Sequence, residues 1–169
     1  ARGELPPVDD DMHAEMYELC DSTFSTNGFQ WYEVSNWAKP GCESRHNQAY
    51  WNSTDWWGYG PGAHSHVGGA RWWNAKHPAA YAERLSRGTT PAIGHEILSE
   101  SEQLFERIVL QIRVRTGLRI ADISRVSPGV IPALIARGLV DGVEALAGRL
   151  VLTLQGRLLA DSVARDLTS

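Results

Sequence analysis

The sequence predicts an α+β fold, and three observations carry that reading. Apolar residues at mixed three- and four-residue spacing mark helices at both ends of the chain. An aromatic and β-branched run over 29–35 marks a strand, and glycine or proline stands at the junctions between segments.

Taken in order, Asp9-Asp10-Asp11 supplies acidic caps before Met12, Met16, Tyr17, Cys20 and Phe24, which draw one apolar helical stripe that Asn27-Gly28 ends. Residues 29–35 follow as a strand. From Trp37 to Arg71 no period is sustained and glycine and proline recur, so a long irregular segment is expected, of a length that compact domains keep for function. A helix starts near Pro78, in the first-turn position that proline tolerates, runs through Tyr81 and Leu85 and stops at Gly88. Thr89-Thr90-Pro91 reads as a linker.

The second half opens on Ser99-Glu100-Ser101-Glu102, a capping box, and its helix continues through Leu104, Phe105, Ile108, Val109 and Ile112 to an end marked by Gly117. Two short helices are expected near 120–126 and 130–137, the second stopped by Gly138. Residues 143–146 and 149–153, separated by Ala147-Gly148, read as a hairpin, and 154–167 as a closing helix. Three helices, a hairpin and a last helix make a winged-helix-like layout. The chain carries no internal repeat and no low-complexity tract.

The 169 residues suffice for one domain or two small ones, and 43% apolar with 21% charged residues is ordinary for a soluble globular chain. No run approaches the roughly 20 apolar residues of a transmembrane helix, and Ala1-Arg2-Gly3-Glu4-Leu5-Pro6-Pro7 lacks the apolar centre of a signal peptide. Two unpatterned cysteines offer no disulfide framework, which suits a reducing compartment, so a cytoplasmic address is expected. A net charge of −4 argues against nucleic acid as a partner. The would-be recognition helix at 130–137 carries only Arg137, too little for the phosphate contacts that DNA affinity needs. Of seven tryptophans, Trp37, Trp51, Trp56, Trp57, Trp72 and Trp73 crowd one segment. Flat aromatic surface of this kind serves core and subunit packing, or lines a pocket for a large planar ligand.

Functional chemistry concentrates in Ser44-Arg45-His46-Asn47-Gln48-Ala49-Tyr50-Trp51 and in Gly58-Tyr59-Gly60-Pro61-Gly62-Ala63-His64-Ser65. A glycine-rich turn lets backbone approach a ligand where a Cβ would not fit, while His and Asn supply a metal-capable imidazole and a two-faced amide. Asn47 can instead close a turn, and Tyr50 and Trp51 can anchor the loop or stack on a flat ligand. His64-x-His66 has no third and fourth partner at zinc spacing and Cys42 is isolated, so zinc is not expected. His13, His77 and His95 fall at helix starts or in a linker, where exposure or capping accounts for them.

His46-Asn47-x-x-Tyr50-Trp51, preceded by Tyr32-Glu33-Val34-Ser35-Asn36-Trp37-Ala38-Lys39-Pro40-Gly41, resembles the radical S-adenosylmethionine proteins related to oxygen-independent coproporphyrinogen III oxidase, and within them the haem chaperone (HemW) branch. The resemblance runs from about Pro6 to the C-terminus and is densest between Tyr32 and Ser65. It implies that residues 1–90 are the C-terminal end of a partial (βα) barrel with a site loop, and that 91–169 form the family's winged-helix-like C-terminal domain. It also implies haem binding by His46, as ligand to the iron, with Asn47, Tyr50 and Trp51. Ser35 and Asn36, at a strand's C-terminal end, and Gly60, Gly62 and Ala63 would lie on the S-adenosylmethionine side.

One departure accompanies the match. The family's Cys-x-x-x-Cys-x-x-Cys run, which holds a [4Fe–4S] cluster, is missing, since the chain has only Cys20 and Cys42. The expectation is therefore the C-terminal part of a longer polypeptide, inactive by itself, whose parent holds the cluster and S-adenosylmethionine. The expected partners are haem or a porphyrin and a haem-accepting protein. Two other readings stand beside the chaperone: an oxidase that takes hydrogen from propionate side chains, and a non-catalytic interaction module built on the tryptophans.

Overall fold

The computed structural model describes residues 9–123 and 126–168. The opening residues 1–8, Ser124 and Arg125 of the helix expected at 120–126, and Ser169 lie outside them. Along the chain run α1 (Asp10–Thr26), β1 (Gln30–Glu33), β2 (Asn36–Ala38), α2 (Arg45–Trp51), β3 (His64–Val67), β4 (Ala70–Asn74), α3 (Pro78–Ser86) and β5 (Ala92–Ile97). There follow α4 (Glu100–Gln111), β6 (Leu118–Arg119), a 3₁₀ turn (Ile120–Ile123), α5 (Val130–Ala136), α6 (Gly142–Leu146), β7 (Arg149–Leu150), α7 (Leu154–Leu158) and α8 (Ala160–Thr168). Helix and sheet are mixed, as the spacing predicts. Two compact units divide them: Arg45–Arg107, and the flanking segments Ala1–Ser44 with Ile108–Ser169.

In the flanking unit, α1 forms where the spacing places it and ends at Asn27, before Gly28 at φ +78°. No residue of the helix is fully buried, and at the start of its apolar stripe Met12 and Met16 are 54% and 56% exposed. Aromatic and polar contacts hold the helix instead. The Tyr17 and Phe24 rings lie 5.3 and 5.2 Å from that of Trp37. Tyr17 donates its hydroxyl to the Val34 carbonyl at 2.6 Å, and Trp37 Nε1 donates to Asp21 Oδ1 at 2.7 Å. Asp21 also pairs with Arg157 of α7 at 2.9 Å, and that guanidinium stacks 4.5 Å over the Trp31 ring. Asp9 stands at the N-cap position without a side-chain capping bond.

After α1 the chain makes a tight antiparallel hairpin, β1–β2. Among the described residues every strand pairing is antiparallel. Ser35 therefore sits in the hairpin connection and Asn36 begins the return strand. The hairpin joins the C-terminal half through backbone: Val34 N–H donates to Arg113 O at 3.0 Å and Arg115 N–H to Tyr32 O at 2.9 Å. This pairing explains why α4 stops at Gln111, six residues short of Gly117: the backbone of 113–115 is engaged in the ladder.

Beneath the ladder lies a core in which Ile112, Leu118, Leu134, Leu139, Leu150 and Val163 are sealed from solvent. The hairpin expected over 143–153 does not form. Asp141 caps α6, its Oδ1 accepting from the N–H groups of Val143 and Glu144 at 2.8 and 3.0 Å, and Arg149-Leu150 pairs instead with Leu118-Arg119. The closing helix is broken at Leu159 into α7 and α8. Gly156 of α7 packs on the chain itself, since a Cβ there would fall 1.9 Å from the Leu139 carbonyl oxygen.

In the unit 45–107, β3, β4 and β5 form an antiparallel sheet in that order. Gly68 and Gly69, at φ +59° and +81°, make the two-residue turn between β3 and β4. The segment taken for irregular chain thus contains β2, α2 and β3, and the strand β5 follows the expected linker. Helix α3 starts at Pro78, and α4 carries the expected capping box, with Ser99 N–H donating to Glu102 Oε2 at 2.8 Å and Glu102 N–H to Ser99 Oγ at 3.4 Å.

Two outcomes follow from this packing. Gly156→Ala should lower unfolding free energy by roughly 1–3 kcal/mol, since the Leu139 backbone must move. Gly129→Ala, where a Cβ meets nothing within 4 Å, should be close to neutral, and urea titration of both checks this. Burial, the largest influence, pushes the Asp21 carboxyl up, but hydrogen bonds from Arg157 and Trp37 and the Arg157 charge outweigh it and hold the group below the usual range. Its contribution is complete above about pH 4 and is lost as pH falls through the depressed folded value. Asp21→Asn should flatten that part of the acid limb in a plot of melting temperature against pH.

Candidate functional site

Arg45-His46-Asn47-Gln48-Ala49-Tyr50-Trp51 is helix α2, not a turn. The helix ends through Ser53 at φ +51°, with Thr54 N–H and Oγ1 both returning to Ala49 O, at 3.0 and 3.1 Å. Helical spacing sets His46 and Tyr50 on one face, and their rings meet edge to face at 4.8 Å. His46 is exposed, Asn47 and Trp51 are half-buried, and Tyr50 is 40% exposed.

Beyond Tyr50 the ring contacts continue. Trp56 lies 4.8 Å from Tyr50 at 66°, and His66 of β3 lies 4.9 Å from Trp56. The backbones of Trp56 and His66 exchange both hydrogen bonds, at 2.8 and 2.9 Å. His66 is 8% exposed, and its Nδ1 is 3.3 Å from the Thr54 carbonyl. A carbonyl only accepts, so that contact selects the tautomer with the proton on Nδ1.

The glycine-rich loop is pinned from below. The N–H groups of Gly58, Gly60 and Gly62 donate to Ser65 Oγ at 3.0 Å, the Tyr81 hydroxyl at 3.3 Å and Ala75 O at 2.9 Å, and Ala63 N–H returns to Gly60 O at 3.3 Å. Asn74, 3% exposed, donates its side-chain amide to the carbonyls of Gly60 and Gly58 at 3.0 and 3.4 Å. Glycine is required here by the turn and by neighbouring backbone: Gly60 and Gly62 stand at φ +102° and +70°, and a Cβ on Gly58 would fall 2.0 Å from His64 O. These four amides are spent inside the protein and form no open anion cradle.

Gly60, Gly62 and Ala63 share this loop, while Ser35 and Asn36 belong to the other unit. There Asn36 Nδ2 donates to the buried Glu33 carboxylate at 2.7 Å, and Val34, a β-branched residue at φ +24°, carries backbone strain. Sequence reasoning named Trp56, Ser65 and His66 without placing them beside the candidate residues, and it missed Asn74. Alternation through His64-Ser65-His66-Val67 and Arg71-Trp72-Trp73-Asn74 about Gly68-Gly69 is the signal that finds Ser65, His66 and Asn74, while Trp56 lies outside it.

An exposed imidazole flanked by one ring suits a single nitrogen ligand to a metal held mainly by something else. Among the described residues no three His, Cys, Asp or Glu gather to hold a metal ion, and Cys20 and Cys42 are both free and exposed.

No family model matches the chain. Curated relatives do. The Mycobacterium tuberculosis protein named heme chaperone HemW is 49% identical over 166 residues, 98% of this chain and 42% of that protein. The Bacillus subtilis heme chaperone HemW is 34% identical over 171 residues, 96% of this chain and 44% of that protein. The chain belongs to the HemW family. It spans less than half the length of these relatives. Among solved structures, coproporphyrinogen III oxidase (HemN) from Escherichia coli, described as a radical SAM enzyme, matches with a TM-score of 0.69 over 100% of this chain and 43% of that one, at 17% identity. At that identity the likeness speaks for the fold.

The buried amide of Asn74 is the central pin of the glycine-rich loop. Asn74→Ala should cost roughly 1–3 kcal/mol by removing the amide's hydrogen bonds to Gly58 O and Gly60 O. Hydrogen exchange at Gly60, Gly62 and Ala63 should accelerate more than exchange across β3 and β4, and uniform acceleration would remove the pinning role.

Proposed function

We propose that the chain carries the haem-binding element of a radical S-adenosylmethionine haem chaperone. The observation that carries this reading is the position of His46, an exposed imidazole on the motif helix with its ring backed by Tyr50. The printed name of the relatives, heme chaperone, supports the same cargo. In this reading His46 donates a ring nitrogen to the haem iron, and Asn47, Tyr50 and Trp51 complete the contact. Haem or a related porphyrin is the cargo, and a haem-accepting protein the recipient.

Ser35, Asn36, Gly60, Gly62 and Ala63 face the S-adenosylmethionine side in the full-length protein, where the [4Fe–4S] ligands come from sequence outside this chain. The occupied amides at Gly60, Gly62 and Ala63 restrict their part to shape and close backbone approach. We place the division between a barrel-derived part and a winged-helix-like C-terminal part near residue 90, and the protein in the cytoplasm. Among the described residues no helix is long and apolar enough to cross a membrane.

In the complete natural protein, His46→Ala should weaken haem binding on the order of tenfold or more and change the Soret maximum, as loss of an axial donor requires. An unaltered haem titration would exclude His46 as the ligand.

A further inference from the structure

We infer that Trp56, backed by His66, is a positioning residue that sets the geometry of His46 through Tyr50. The inference rests on the reading of His46 as haem ligand. Helix α2 has seven residues and none is buried, and a helix this short has little stability of its own in water. Something outside it must fix where His46 stands.

The ring series supplies that support. His66 and Trp56 are joined by paired backbone hydrogen bonds, and β3 is itself paired along its length with β4. Trp56 then holds Tyr50 at 4.8 Å, and Tyr50 holds His46 at 4.8 Å. Each contact is tilted or edge to face, the geometry that aromatic rings favour. The exposed end carries the ligand and the buried end is anchored in the sheet. Ordering His46 before the cargo arrives removes part of the entropy that binding would otherwise cost.

Trp56 has no need to touch the cargo, so its effect must pass through His46. Hemin titration of the complete protein, read at the Soret band, tests this in wild type, His46→Ala, Trp56→Ala, Trp56→Phe and the double variant His46→Ala/Trp56→Ala. Trp56→Ala should weaken binding about tenfold while keeping the wild-type Soret maximum at saturation, and Trp56→Phe should recover most of the loss. The double variant should be no weaker than His46→Ala, because the two losses are one loss.

Should Trp56→Ala fail to fold by circular dichroism, Trp56→Leu, which fills space without a ring, takes its place in both single and double variants. Additive losses, or a Trp56 variant with unchanged affinity beside an impaired His46→Ala, overturn the positioning role and leave the haem reading intact. Unchanged binding by His46→Ala overturns both.

Discussion

The flanking unit depends on a short backbone ladder. Its two segments, Ala1–Ser44 and Ile108–Ser169, are separated by a whole compact unit, so closing it costs a long loop's entropy before any side chain packs. Tyr32 to Val34 meets Arg113 to Arg115 through Val34 N–H to Arg113 O, Arg115 N–H to Tyr32 O and the bridge between Glu33 and Val114. The strained Val34 lies at this seam. Tyr17 and Trp31 both donate to its carbonyl, at 2.6 and 2.9 Å, so a helix, a strand and the ladder fix one residue together. Polar contacts at the edge, Arg157 with Asp21 and Arg115 with Glu43, then join the same two segments.

Much of the helical content was legible in the sequence because its signals are local. Ser99 with Glu102, Pro78 with Gly88 and Asn27-Gly28 each satisfy or terminate a helix end with groups a few residues away, so α1, α3 and the start of α4 needed no tertiary knowledge. The misread elements are those that tertiary contacts decide. Residues 143–146 are apolar enough for a strand, but Asp141 caps them into α6, and β7 takes a partner some thirty residues upstream. The exposed stripe on α1 shows the converse. Periodicity announced the helix and two of its anchors, Tyr17 and Phe24, but not the polar anchor Asp21, nor that Met12 and Met16 of the same stripe stay exposed.

The candidate site divides in the same way. His46 and Tyr50 were legible as residues, but their relation was hidden, because seven residues between polar loops give too short a window for a helical period. Once α2 is a helix, His-Asn-x-x-Tyr-Trp becomes two pairs at four-residue spacing, His46 with Tyr50 and Asn47 with Trp51, on neighbouring faces. The motif's spacing is then a statement about helix geometry. The glycine-rich loop reads differently too. Its glycines answer to positive φ and to the His64 carbonyl, and its amides are bonded internally, so its composition reports a packing constraint at least as strongly as a ligand.

The surroundings of His46 therefore lead to a sheet that the motif does not contain. Helix α2 buries no residue, and the ring contacts on its His46 face lead through Tyr50 and Trp56 to His66, inside β3. Strand β3 is held in register by the Gly68-Gly69 turn, and its Ser65 side chain, together with Asn74 of β4, fastens the glycine-rich loop from the same hairpin. One two-residue turn thus governs both sequence clusters. A one-residue slip in β3 would reverse its faces, withdrawing His66 from Trp56 and Ser65 from Gly58 at once. The two sequence clusters are coupled by register, although His46 and Gly60 lie fourteen positions apart along the chain.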